Sequence, residues 1–195
     1  MWNYQQRFHN SSAFYSDQLC SLQPLTSEHG LGCLINNAGI TNLTGFAGVK
    51  PKMMSDCFNV NVIAPLMLTK AVAKEMKYPA EGASAQYALE KPLIVNIGAI
   101  LGSIGGNDKG GYYPYRASKA GMHMLTKNFA LDLAGSGVNV VGVHPGWLKT
   151  RMGGKMAPTS VEEGVGGILD NLMLGFDESK HNGNLFDYLG EKLPW

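Results

Sequence analysis

Leu93-Ile94-Val95-Asn96-Ile97, then Gly98 to Gly111, then Tyr115-Arg116-Ala117-Ser118-Lys119, is the stretch on which the fold turns. The first five residues are mostly apolar and end at a glycine, which predicts a buried strand. Six glycines occupy the next fourteen positions and predict a long loop. From Tyr115 to Leu133 the apolar residues Met122, Leu125, Phe129 and Leu133 fall on one helical stripe. A strand, a loop and a helix of this length form one half of a unit that repeats in both directions. Downstream, Val138 to Val143 predicts a third strand closed by Pro145-Gly146, Ser160 to Leu174 a helix, and Asn184 to Tyr188 a last short strand. Ser160 is the expected cap of that helix, with Glu163 three residues on. Upstream, Cys33-Leu34-Ile35 predicts a strand ending in Asn36-Asn37-Ala38-Gly39, and Lys52 to Lys77 a helix bent by Pro65. Tyr78 to Pro92 reads as a loop. Strands alternating with helices imply an α/β fold, with a parallel sheet covered by helices on both faces.

The 195 residues suit one domain. A formal charge of +1 argues against a nucleic-acid binder, which needs clustered Lys and Arg. No apolar run approaches a membrane span and the start lacks a signal-peptide pattern, so the cytoplasm is the expected address. Cys20, Cys33 and Cys57 have no metal-ligand spacing and read as reduced thiols, so no metal is expected. All 25 glycines lie at Gly30 or later. Residues 1–29 therefore read as a weakly specified segment, and 30–195 as the domain.

Four groups of residues could carry chemistry. Tyr115 and Lys119 share a helix face one turn apart. A free phenol with a pKa of about 10 is a poor acid or base at neutral pH, and a neighbouring cation would favour phenolate and lower that value. The plain alternative is a surface helix start with a solvated lysine. Asn37-Ala38-Gly39 follows a strand, where small residues let a flat ligand approach the backbone of an open α/β sheet, although a tight turn with no ligand explains it equally. Pro145-Gly146-Trp147-Leu148-Lys149-Thr150 also follows a strand and could present backbone groups and the Thr150 hydroxyl, or serve only as a rigid exit. Pro65 has no N–H and displaces the carbonyl four residues back, so the Asn61 carbonyl is expected to hold a water that connects Lys119 with solvent. A simple helix kink is the alternative.

The strand ending NNAG, the FNVN of 58–61, the strand IVNI, YRASK and HPGWLKT occur in the order and spacing of the short-chain dehydrogenase/reductase family. From residue 30 to 195 the chain resembles that family, nearest to its sniffer and C-factor-like carbonyl reductases. The resemblance implies a Rossmann-like sheet and hydride transfer between a nicotinamide, NADP with NAD left open, and a small carbonyl or alcohol substrate. It further implies that Tyr115 protonates the carbonyl oxygen, that Lys119 lowers its pKa and holds the nicotinamide ribose, and that Asn61 positions a relay water. Asn37, Ala38 and Gly39 would line the adenosine-ribose side, and Pro145, Gly146 and Thr150 the nicotinamide side. A homodimer through the helices at 52–77 and 115–133 is expected.

Two departures bear on activity. The family opens with a strand and a TGxxxGxG turn that holds the pyrophosphate, and nothing before Gly30 supplies it, so an N-terminally truncated domain is expected, with the Leu34 strand at an apolar edge that residues 11 to 25 could cover. Gly98-Ala-Ile-Leu-Gly102-Ser-Ile-Gly105 only imitates that turn, because it falls at the family's central active-site strand. Second, Ala99 stands where the family places a hydroxyl that donates to the substrate carbonyl, and losing such a donor costs roughly 10²–10³-fold in rate. Ser103 replaces it only if the loop folds back. His123 reads as a packing or surface residue, and His144 as the end of a strand. The alternative to an impaired reductase is an inactive remnant that acts as an interaction or dimerisation module.

Overall fold

In the computed structural model of the chain, residues 30–76 and 91–195 are described. The 1–29 segment, and the 78–92 loop apart from its last two residues, lie outside them. Strands β1 (Cys33–Asn36), β2 (Leu93–Ile97), β3 (Asn139–His144) and β4 (Leu185–Asp187) form one sheet in that order, with every neighbouring pair parallel. Parallel neighbours require long crossovers, and helices fill them. Between β1 and β2 run α1 (Pro51–Phe58), a wider π turn (Asn59–Ile63) and α2 (Ala64–Val72). Between β2 and β3 runs α3 (Tyr113–Asp132). Between β3 and β4 run α4 (Val161–Ile168), a π stretch (Leu169–Leu174) and the short α5 (Glu178–His181). None of the helices among the described residues is long and apolar enough to cross a membrane.

Alternation along each strand sorts the core into two layers. Leu93, Val95, Val141, Val143 and Phe186 face Ile168 and Leu172 on one side of the sheet. Ile94, Val138 and Val140 face Met76, Phe129 and Ala130 on the other. Central strands clothed on both faces read as continuous apolar runs, which is why LIVNI and VNVVGV stand out in the sequence.

Three expectations needed adjustment. The single helix over 52–77 is instead two α segments joined by the π turn; there Ala64 N–H donates to the Asn59 carbonyl, five residues back. Pro65 accounts for this, since it offers no N–H and its ring pushes the preceding turn open. The 160–174 helix likewise passes from α to π at Leu169. Its start is as expected, with the Ser160 hydroxyl accepting the Glu163 N–H at 3.0 Å. The Tyr115 helix starts two residues earlier than expected, at Tyr113, behind Tyr112 in the left-handed region at φ 51°. Pro114, whose missing N–H costs nothing in a first turn, explains the early start.

Candidate active site

Because the strands are parallel, the carboxyl ends of β1, β2 and β3 lie along one edge of the sheet, the usual ligand edge of an open α/β fold. The turn at 37–39, the exit of β2 at 97–99 and the Pro145-Gly146 exit of β3 therefore meet there. The first turns of α3 carry Tyr115 and Lys119 to the same edge: the buried Lys119 ammonium donates to the Ile97 carbonyl, at the end of β2, at 2.6 Å. The same ammonium lies 5.8 Å from the centre of the Tyr115 ring.

Asn61 is fully buried and ties three elements together. Its Nδ2 donates to the Ile40 carbonyl and to Ser118 Oγ, both at 2.9 Å, and its Oδ1 accepts the Ile40 N–H at 2.9 Å. Ser118 Oγ in turn donates to the Tyr115 carbonyl at 2.9 Å. The π turn thus presents the Asn61 side chain to the site. Gly39 sits against this junction: a Cβ there would lie 3.4 Å from Asn61 Oδ1 and 3.7 Å from Lys119 Nζ. Tyr115, Lys119, Asn61 and the 37–39 turn are thereby brought together, with Asn37 and Ala38 exposed on the outer side of the turn.

Electrostatics run against one expectation. Burial pushes Tyr115 up to about 12, with a smaller contribution from Cys57, rather than letting Lys119 draw it down. Lys119 is itself lowered to about 8 by burial. Desolvation disfavours both charged forms, and the ammonium is hydrogen-bonded to Ile97 rather than free beside the phenol. The pair is therefore arranged as a protonated phenol beside a cation that can give up its proton near neutrality.

At the β3 exit, Gly146 adopts φ +85°, and a Cβ there would lie 3.0 Å from the Tyr188 ring. Thr150 is exposed, and its hydroxyl accepts the Gly153 N–H at 3.1 Å, which shapes its own turn. After β2, Ala99 is buried, and Ser103, also buried, accepts the Gly106 N–H at 2.9 Å within its own loop. The glycines of the 98–105 imitation have a structural reason of their own. A Cβ at Gly98 would come within 2.8 Å of the His123 ring, and one at Gly102 within 2.7 Å.

Sequence reasoning missed the polar links beneath the site. Asn36 Nδ2 donates to Asn96 Oδ1 at 2.8 Å and to Thr69 Oγ1 at 3.2 Å, and Asn96 Nδ2 donates to Thr126 Oγ1 at 2.9 Å. Two asparagines at the ends of predicted strands were a visible signal, since Asn36 and Asn96 are register partners, but their pairing needed the sheet order. Ser118, three residues after Tyr115, was within reach of an i, i+3 argument.

The short chain dehydrogenase family model matches residues 25–160. The C-signal protein of Myxococcus xanthus is 34% identical over 163 residues, covering 83% of this chain and 91% of that protein. The 3-oxoacyl-[acyl-carrier-protein] reductase FabG of Vibrio cholerae is 33% identical over 132 residues, and the match spans only 49% of its length. Among solved structures, the carbonyl reductase Sniffer of D. melanogaster superposes with a TM-score of 0.83 at 34% identity, covering 93% of this chain and 73% of that one. An NADPH-bound carbonyl reductase from chicken fatty liver gives 0.81 at 33% identity, covering 94% and 73%. The parallel sheet, the Tyr115–Lys119 helix face at its carboxyl edge and these matches agree: the chain belongs to the short-chain dehydrogenase family and is related to its C-signal and carbonyl reductase members.

Proposed function

We propose that the chain is an NADP(H)-dependent carbonyl reductase in which Tyr115, Lys119 and Asn61 form the catalytic group. The observation that carries this reading is the convergence of Lys119 Nζ and the Asn61 amide on Gly39, beside the Tyr115 ring, at the carboxyl edge of a parallel sheet.

The residues present fit the nicotinamide half of a dinucleotide. Gly39 has no side chain to fill the space beside Lys119, and Asn37 and Ala38 leave their outer side open for the adenosine ribose. Lys119 would hold the nicotinamide ribose, and Pro145, Gly146 and Thr150 would line the nicotinamide side. A glycine turn for the pyrophosphate is not found among the described residues. When bound, the cofactor supplies a hydride equivalent to the carbonyl carbon.

The protein's own part is proton chemistry and positioning. Tyr115, held protonated by burial, gives its phenolic proton to the substrate oxygen, so the carbonyl becomes an alcohol and the phenol a phenolate. The adjacent Lys119 ammonium stabilises that phenolate as it forms. Its pKa near 8 lets it return a proton to Tyr115 and recharge from solvent. Asn61 keeps α3, the π turn and the 37–40 turn in register and positions a water for that recharge. Ser103 is the nearest hydroxyl in the β2–α3 loop to replace the one missing at Ala99. A cytosolic address and a small carbonyl substrate belong to the same proposal.

Titrating the protein with NADPH, followed by fluorescence transfer, tests it. Saturable binding together with oxidation of NADPH by a small ketone or quinone is expected, and no binding at millimolar cofactor overturns it.

Pairing of two copies through α2 and α3 is favoured by one observation: Leu66 on α2 and Met124 and Leu131 on α3, with Ile63 in the π turn, expose apolar side chains. Sedimentation equilibrium should show a dimer that Leu131→Glu weakens.

A further inference from the structure

The histidine that the motif argument set aside occupies a place that no catalytic assignment uses. His123 lies one turn beyond Lys119 on α3 and is buried. Its Nε2 accepts the Ala99 N–H at 3.4 Å. Glycine at 98 and 102 is required by its ring, as the close approaches above show, and the Trp195 ring covers it at 5.5 Å between centroids. Trp195 is itself fastened to the same loop, since its main-chain oxygen accepts the Gly105 N–H at 2.8 Å.

Three side chains of α3 thus grip successive points on the exit of β2. Lys119 donates to the Ile97 carbonyl, His123 accepts from the Ala99 amide, and Arg116 donates to the Leu101 carbonyl at 3.2 Å. Positions 116, 119 and 123 share one helix face, so the contacts act together.

We propose that neutral His123 is a positioning residue, an imidazole wedge that holds the Ala99 backbone, and through it the Ile97 carbonyl that receives Lys119, against α3. An N–H acceptor at Nε2 places the ring proton on Nδ1; among the described residues this buried atom has no well-aligned hydrogen-bond partner, and the Gly102 carbonyl is the backbone acceptor that faces the ring. Protonating Nε2 removes the acceptor and sets a cation beside Lys119. The groups facing the ring are Lys119 from α3, His144 from β3, the Gly102 carbonyl from the loop and the Trp195 ring. Burial, Lys119 and His144 oppose the imidazolium, and only Gly102 favours it, which keeps the ring neutral down to about pH 4.

The inference depends on the reductase reading only for its effect on turnover, and its primary readout does not need turnover. Amide exchange and chemical shift of Ala99 would be followed by 15N NMR in the wild type, His123→Leu and His123→Gln. Loss of one buried acceptor should speed Ala99 exchange about tenfold in His123→Leu. His123→Gln, which keeps an acceptor oxygen, should restore protection to within about twofold on the same scale.

In the wild type, the Ala99 shift should follow an acid step with a midpoint near pH 4, absent from His123→Gln. That comparison decides the matter if the leucine variant does not fold. Unchanged Ala99 protection in folded His123→Leu, failure of glutamine to rescue it, or no acid step in the wild type would each overturn the proposal. With a carbonyl substrate, His123→Leu should lower kcat about tenfold with KM for NADPH within about twofold. A wild type that neither binds NADPH nor turns over overturns the reductase reading alone, because the amide readouts stand apart from it.

Discussion

At β1 the two faces of the sheet are treated differently, and the contrast separates what holds the fold from what makes the site. On the face covered by α2 and α3, Asn36 is buried and hydrogen-bonded to Asn96 and Thr69. On the opposite face, Ile35 is 49% exposed, because the layer of Ile168 and Leu172 that seals β2, β3 and β4 does not reach it among the described residues. Tyr115, Lys119 and Asn61 approach from the covered face, through α3 and the π turn. Among the described residues one face of β1 is only partly covered, with Cys33 packed against that layer and Ile35 standing clear of it, while the elements joined at the carboxyl edge are tied from the other face.

The contrast breaks most sharply at the phenol. Tyr115→Phe leaves every backbone contact of the covered face and removes only the phenolic hydroxyl, so reductase turnover should fall by a factor of roughly 10³ or more. NADPH affinity, followed by fluorescence, should hardly change. Asn96→Leu strikes the polar tie itself. It removes two buried hydrogen bonds at once, leaving the Asn36 amide only Thr69 and the Thr126 hydroxyl only the Met122 carbonyl, and urea unfolding should show a loss of about 3 kcal/mol.

Lys119 gives the comparison a pH dependence. Its folded pKa, about 8, is lower than the ordinary lysine value of 10.5, so the unfolded chain binds more protons between those limits, and stability rises with pH across that window. The contribution is complete above 10.5 and lost as the pH falls through 8. Lys119→Met should abolish this rise, a difference of about 3 kcal/mol between the two ends by calorimetry or urea titration.

Ala99→Ser sharpens the site without touching the fold: restoring a hydroxyl beside the β2 exit should raise kcat about tenfold, and an unchanged rate would show that the missing donor was not limiting. The smallest effect is expected at Ile35, half-exposed among the described residues, where Ile35→Thr keeps β-branching and should alter stability by no more than about 0.5 kcal/mol in the same urea assay.

Much of this architecture could be read from spacing. The run Leu93–Ile97 gives β2 to the residue, because a strand apolar on both faces is bounded by its glycine. Tyr115 and Lys119 share a face on any helix, so their juxtaposition needed no tertiary information. The π turn around Asn61 was half legible: Pro65 announces a break but does not say that the turn widens to present a side chain that reaches both Ile40 and Ser118. His123 was not legible, since its function depends on Gly98 and Gly102, twenty or more residues away, passing close enough to enclose its ring.

The amino-acid order alone determined the parallel alternation of strands and helices, the Tyr115–Lys119 pair and the small-residue turn at 37–39, because each follows from local periodicity or from the reach of side chains a turn apart. Tertiary structure alone decided the ionisation of that pair and the grip of α3 on the β2 exit. Both depend on how far water is expelled and on which carbonyls and amides meet across the sheet edge, and those quantities exist only after distant segments have packed.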